Sequence, residues 1–158
     1  MRGLARTTLS AFFAACVLLV FVAQAKARLT RNEADLLAAV NGVRAQHGLV
    51  RFAIDWHLVG AARSHSLDML EHGYFGHGPF AARMRRFGVR AQMLGENLAW
   101  GSGRLGSAGV IVQEWLASPD HRANLLRPGF RRIGLAAPVG QFAGLPGVHV
   151  VTADFAGR

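Results

Sequence analysis

Cysteine is almost absent from this chain: among 158 residues only Cys16 carries a thiol. A disulfide-stapled fold is therefore excluded, because one thiol cannot bridge to another within the chain. Lysine is equally scarce. From Arg28 onward the cations are fifteen Arg and no Lys, set against nine Asp plus Glu. The nearest approach to a basic cluster is Arg83, Arg85, Arg86 and Arg90, read as a short helix and its exit with a generally solvated face. Nucleic-acid binding asks for a longer basic stripe with exposed aromatics, so no nucleic-acid partner is expected. Weak attraction to anionic lipid or wall polymer fits the charge better. The Gly-rich stretch from Gly101 to Gly109 has no strand signal before it and no Gly-Lys-Ser/Thr after it, which excludes a phosphate-cradling loop. No His-Glu-x-x-His helix is present to assemble a metal site locally.

The one long apolar run is at the start. Arg2 and Arg6 precede an almost wholly apolar stretch from Leu9 to Ala23, followed by the small-x-small sites Ala23-Gln24-Ala25 and Ala25-Lys26-Ala27. That order is the pattern of a secretory signal peptide, and the run is short of the roughly 20 residues a membrane-spanning helix needs. Residues 1–27 are read as the signal and 28–158 as a single domain. The expected product is exported, periplasmic or secreted, with no permanent transmembrane anchor after cleavage. Cys16 would leave with the signal, so the mature chain would rely on its packed core alone.

Within the domain, Thr30-Arg31-Asn32-Glu33 has the spacing of a capping box, and Leu36, Leu37, Val40 and Val43 follow on one helical face up to Gly48. Asp55 is placed to cap a second helix on which Leu58, Ala62, His65 and Met69 share a face, with Gly73 as its stop. Pro79 suits the first turn of a short helix, Ser107 to Ala117 reads as another, and Ser118-Pro119 restarts the chain with an N-cap and a first-turn proline. Arg132 to Ala137 and Val148 to Phe155 read as strands joined by the turn-rich segment 138–147. Helices first and strands last predict an α+β domain with an antiparallel sheet packed by helices.

Two histidines and two glutamates stand out because each lies among aromatic, Gly or turn residues. They are His77 in Tyr74-Phe75-Gly76-His77, Glu96 in Gly95-Glu96-Asn97, Glu114 in Gln113-Glu114-Trp115, and His121 in Asp120-His121-Arg122. Imidazole and carboxylate can bind a divalent metal or exchange protons near neutral pH. The two carboxylates, if they share a partly buried cleft, repel one another, and either a cation or protonated histidines would relieve this. Three readings stay open: a hydrogen-bonded brace supported by Asn97 and Asn124, a metal site on His77 and His121, or acid/base chemistry on Glu96 and Glu114. Ser66 beside His65 is a tempting nucleophile pair, but neighbours one apart on a helix point in different directions. His65 is better read as a core or supporting histidine.

The same segments carry a family resemblance. His65-Ser66-Leu67-Asp68-Met69 running into Tyr74-Phe75-Gly76-His77, then Gly95-Glu96-Asn97-Leu98-Ala99, then Glu114-Trp115 with His121-Arg122-Ala123-Asn124-Leu125-Leu126, and lastly Arg132-Ile133-Gly134 stand in the order found in bacterial CAP domains. The chain resembles that superfamily of cysteine-rich secretory, antigen 5 and pathogenesis-related proteins, in a branch without cysteines. The resemblance implies a single-domain α-β-α sandwich around a central antiparallel sheet. It also implies that His77, Glu96, Glu114 and His121 converge in one cleft, where the histidines could bind zinc weakly. The function it suggests is binding of an envelope-associated ligand, a lipid or cell-wall component. The alternative is a metal-assisted or acid/base hydrolase acting on envelope peptides or polymers.

Overall fold

A computed structural model describes residues 28–158; the signal-peptide reading of residues 1–27, Cys16 included, lies outside the described residues. The chain runs α1 (Arg31–Gln46), β1 (Ala53–Ile54), α2 (Trp56–His72), α3 (Phe80–Arg86), β2 (Met93–Ser102), α4 (Ala108–Ala117), α5 (Pro119–Leu126), β3 (Phe130–Ala136), β4 (Val139–Phe142) and β5 (Leu145–Gly157). The anticipated start signals act as read. Thr30 and Glu33 close the capping box of α1, and the Asp55 side chain accepts from the His57 and Leu58 backbone N–H groups at the start of α2. Gly73 ends α2 at φ 67°, a left-handed conformation that suits a residue without Cβ. Ser118 does occupy the N-cap of α5 ahead of Pro119, but its side chain makes no capping bond.

The sheet order is β1-β3-β5-β2, with β4 folded back onto β5. β5 is the central strand: it pairs antiparallel with β2, β3 and β4. The central antiparallel sheet is as expected, and the two-residue β1 adds one parallel pairing, with β3, at its edge. The sequence reading left 93–102 without a strand. Gly95, Glu96, Asn97 and Gly101 are weak strand formers, yet ten consecutive residues pair with β5, and that tertiary pairing overrides propensity. The segment 138–147, read as a connector, contains β4 and its return into β5.

Helices cover both faces, giving the α-β-α sandwich. On one face Leu36, Val40 and Val43 of α1, Ile111, Val112 and Trp115 of α4 and Leu125 of α5 pack against Val151, Ala153 and Phe155. On the other, Met69 of α2 meets Val148 and Val150, while Leu58 and Ala61 meet Met84 of α3 and Ala156. α2 lies so close to the sheet that a Cβ on Gly134 would sit 2.1 Å from the Leu58 backbone. Arg63 of α2 binds the buried Glu33 carboxylate through Nε at 2.7 Å and Nη2 at 2.6 Å, which ties the start of α1 to the second layer.

Candidate functional site

Strand β2 distributes the site residues by alternation: neighbouring side chains leave a strand on opposite faces. Glu96 turns toward the α2–α3 layer and Asn97 toward α5. Asn97 is fully buried; its Nδ2 donates to the His121 carbonyl at 2.9 Å, and its Oδ1 accepts from Asn124 Nδ2 at 2.9 Å. Asn124 Nδ2 also reaches the Glu96 carbonyl at 3.2 Å. These amide bonds hold the start of α5, and with it His121, against β2. A Cβ on Gly95 would lie 3.0 Å from Asn124 Oδ1 and 2.9 Å from the Phe130 ring, so the strand can approach this closely only at a glycine. Trp115 Nε1 donates to the Leu98 carbonyl at 2.9 Å and pins α4, which carries Glu114, beside the same strand.

Glu96 is the hub of the buried side. Its side chain is 3% exposed, and Oε1 accepts from His77 Nδ1 at 2.7 Å. That bond places the His77 proton on Nδ1 and leaves Nε2 as the free edge of a ring that is 60% exposed. Oε2 pairs with Arg83 Nη2, and Arg83 Nη1 also donates to the His77 carbonyl at 3.1 Å. His65 is buried, as expected of a supporting residue. Its Nε2 donates to the Gly76 carbonyl at 2.9 Å and lies 3.9 Å from Glu96 Oε2. Burial first, then the Arg83 charge, push the His65 pKa down, so the ring stays neutral.

His121 is half-buried on α5. Burial lowers its pKa, and the charge of His77 lowers it further. Glu114 is exposed on α4 and is not enclosed with Glu96; among the described residues it makes no hydrogen bond to His77, Glu96 or His121. It does share a groove with His121. The groove has a volume of about 510 Å³, with Leu98, Ile111 and Trp115 at its base and Phe75, Trp100 and Leu105 at its edge. Trp100 packs edge-on against Phe142 at 5.6 Å, and Phe75 does the same at 6.5 Å, so the aromatic rim is a connected cluster.

Two members of the site were missed by the sequence reading. Arg83, taken there as part of a solvated basic face, is buried and paired with Glu96, because α3 turns this one side chain inward while Arg85, Arg86 and Arg90 remain exposed. Asp154, on β5, has no exposed surface and sits opposite Glu96 in the strand register. An acidic residue inside the apolar run Val150-Val151-Thr152-Ala153-Asp154-Phe155 was the available signal. Ser66 is ruled out as a nucleophile by its surroundings: it is buried, and its Oγ shares a 2.8 Å hydrogen bond with Thr152 Oγ1.

The donor set can be tested against a metal. Among the described residues no three His, Asp or Glu side chains gather closely enough to enclose an ion. The histidine His77 has already given Nδ1 to Glu96, which is the carboxylate–histidine arrangement that orients a ligating imidazole. The described residues therefore form no closed metal site, and His77 Nε2 and His121 each offer a single candidate nitrogen.

Comparison with known proteins gives the family and the fold. The profile of the cysteine-rich secretory protein family, CAP, matches residues 37–153. The uncharacterized protein YkwD of Bacillus subtilis is 32% identical over 117 residues, which is 70% of this chain and 44% of that protein. An uncharacterized membrane protein of the same organism, YlbC, is 32% identical over 67% of this chain and 31% of its own length. The chain thus spans less than half the length of these curated relatives. Among solved structures, an extracellular protein containing an SCP domain from Bacillus anthracis superposes with a TM-score of 0.64 at 29% identity, over 84% of this chain and 45% of that one. An outer surface protein of Borrelia burgdorferi, with a TM-score of 0.70 at 19% identity over 84% of this chain and 96% of its own, shares the fold. The chain belongs to the cysteine-rich secretory protein family, the CAP domains.

Proposed function

We propose that this CAP domain is an exported binding module that takes an amphiphilic envelope component, a lipid or wall-derived molecule, into the groove beside His121. The observation that carries the reading is the groove's two-sided chemistry. Its base and rim are aliphatic and aromatic, while Glu114, Ser118 and His121 lie along the same lining. Such a groove buries an apolar segment and fixes a polar head by a few directed groups. Export is supported by the amino-terminal pattern of residues 1–27 and by the extracellular relative from Bacillus anthracis. No helix among the described residues is long and apolar enough to cross a membrane.

His77 Nε2 and His121 are the atoms that would hold a divalent cation, zinc by choice of ligand, and Glu96 would orient the first of them. The ion's part would be to add a positive charge at the polar end of the groove. Hydrolysis is the competing reading, with Glu96 and Glu114 as acid and base. It is favoured only by the neutral state of His121, because among the described residues no positioned nucleophile accompanies the cluster.

Titration of the purified protein with a long-chain fatty acid and, separately, with a soluble muropeptide, followed by tryptophan fluorescence, tests the proposal. Saturable binding of one of them without turnover is expected, weakened at least tenfold by Trp100→Ala or Leu105→Asp. Turnover that Glu96→Gln abolishes would replace the binding module with an enzyme. Failure of both probes to bind would remove the groove reading.

A further inference from the structure

Charge is not spread evenly along the sheet. One end is closed by the loop before β1, the segment between α3 and β2, and the turn between α5 and β3. These segments, 47–56, 88–94 and 127–132, carry Arg51, Arg90, Arg127, Arg131 and Arg132 against one carboxylic side chain, Asp55. Asp55 is already paired with the half-buried Arg132, and the other four arginines are exposed. The segments are tied together beneath the surface. Arg132 Nη2 donates to the Arg90 carbonyl at 2.8 Å, and the buried Arg44 guanidinium donates to the carbonyls of Val50 at 2.8 Å and Arg127 at 3.3 Å. Between Arg131 and Arg132 opens a concavity of about 600 Å³ with Gly129 and Gly157 in its lining.

The opposite end is balanced. There Arg28, Arg31, Arg63 and Arg104 stand against Glu33, Asp35, Asp68 and Glu71, and two of the pairs are made, Arg63 with Glu33 and Arg31 with Asp35. The domain's excess of positive charge is thus concentrated where β3 and β2 begin. Guanidiniums spread over separate segments attract an extended anionic surface rather than one small anion.

The arginine-rich end also exposes apolar side chains. Val50 precedes Arg51, and Trp56 opens α2 directly after Asp55; both are exposed. A soluble polyanion gains nothing from Val50. A bilayer accepts aliphatic side chains below its headgroups and holds an indole at the boundary, while guanidinium meets lipid phosphate through paired N–H donors.

We propose that this end is a peripheral docking surface for an anionic lipid bilayer, with Val50 and Trp56 set into the headgroup layer and Arg51, Arg90, Arg127 and Arg131 on lipid phosphates. The surface is separate from the groove: from Met93 at this end to Trp100 at the groove rim, β2 covers about 20 Å at the usual rise of a strand. Docking in this way holds the groove off the bilayer, so that its ligand arrives from the aqueous side. That consequence alone rests on the groove reading.

Flotation of the purified protein with vesicles tests the surface, using phosphatidylcholine alone and equimolar phosphatidylcholine and phosphatidylglycerol. Binding to the anionic vesicles that weakens as salt rises, with none to the neutral ones, is expected. Arg51→Gln and Arg131→Gln should each weaken it about fivefold. Trp56→Ser should also weaken it, while Arg31→Gln and Arg104→Gln, at the opposite end, should leave it unchanged. All four of these arginines are exposed, so the variants should fold, and circular dichroism checks this. Equal losses at the two ends would reduce the effect to net charge and overturn the proposal. So would full affinity in Trp56→Ser, which would remove the insertion, or retention on soluble polyphosphate without binding to anionic vesicles, which would assign the arginines to a polymer. The groove titrations use no bilayer, so either reading can fail while the other holds.

Discussion

Along β5, Val151, Ala153 and Phe155 enter the core beneath α1, α4 and α5, whereas Thr152 and Asp154 enter the layer beneath α2 and α3. The first face is aliphatic and aromatic, with the Phe155 ring between Phe52 at 5.4 Å and Phe130 at 5.6 Å. The second face gathers Ser66, His65, Arg83, Glu96 and Asp154, all buried. One strand thus carries an apolar set on one side and, among Val148, Val150 and Ala156, a buried polar cluster on the other, and the two sides meet at β2, whose Asn97 and Glu96 point opposite ways. Arg44 sharpens the contrast. It is fully buried on the apolar side, yet among the described residues it meets no carboxylate: its guanidinium donates to the carbonyls of Val50, Leu125, Arg127 and Phe130 and lies 3.8 Å from the Phe52 ring centroid. It braces chain segments, whereas Arg83 neutralises the buried Glu96 carboxylate.

The hardest test of the comparison is to damage one face and read the other. Phe155→Ala removes a ring packed between two others and should cost about 3–5 kcal/mol in chemical denaturation. If the two faces are independent, the His77 Nδ1–H signal hydrogen-bonded to Glu96, read by nuclear magnetic resonance in the folded fraction, should not move. Arg83→Met strikes the other face. It leaves Glu96 and Asp154 without their guanidinium and frees the His77 carbonyl, so a loss of about 3 kcal/mol is expected, near the low end for breaking a buried pair because His77 still holds Glu96. Here the His77 Nδ1–H signal should shift, because Arg83 holds both the His77 carbonyl and Glu96. A silent His77 would show that the arginine only packs.

These two faces were unequally legible in the sequence. The apolar face follows from periodicity: Leu36, Val40 and Val43 recur at helical spacing, and the β5 run is visibly apolar. Thr30, Glu33 and Asp55 announced their helices because capping is local chemistry. The polar face depends on which residues become neighbours across the sheet. Nothing in Phe80-Ala81-Ala82-Arg83-Met84-Arg85-Arg86 distinguishes the one arginine that turns inward, and Asp154 gains its partner only through the β2 register. Strand β2 itself was hidden for the same reason, since pairing with β5 rather than residue preference makes it a strand. The family motifs located His77, Glu96, Glu114 and His121. The geometry then joins His77 to Glu96 and sets Glu114 on the groove wall with His121.

A gentler probe of the polar face is Asp154→Asn, read as stability against pH. The folded-state pKa of Asp154 lies above its unfolded value, so the folded state binds the extra proton. The native protein therefore loses stability as pH rises from the unfolded pKa of about 3.9 toward the folded one. Asparagine carries no such proton, so the variant's Tm should exceed that of the wild type at pH 7. The gain should shrink toward pH 4. A variant equally shifted at both pH values would mean that packing, not protonation, distinguishes Asp from Asn.

The smallest expected effect concerns the edge where the two faces meet the solvent. If His77 Nε2 and His121 hold zinc, the ion stabilises only the folded state, by about 0.4 kcal/mol when its concentration equals Kd. Burial and the neighbouring His77 lower the His121 pKa in the folded state, so His121 is neutral and able to ligate at pH 7. The same depression means that the unfolded chain takes up the proton first. Stability contributed by keeping His121 neutral is present above its unfolded pKa of about 6.5 and is lost as pH falls below it. The zinc gain should fade at lower pH, once protons compete for the imidazole nitrogens. Calorimetry with and without zinc at pH 7.5 and 5.5, on wild type, His77→Ala and His121→Ala, separates the outcomes. A zinc response lost in both variants assigns the ion to this pair. A response that survives both assigns it to exposed histidines such as His57 or His72. No response in the wild type, with lower stability in His77→Ala, leaves the imidazole as a brace for Glu96.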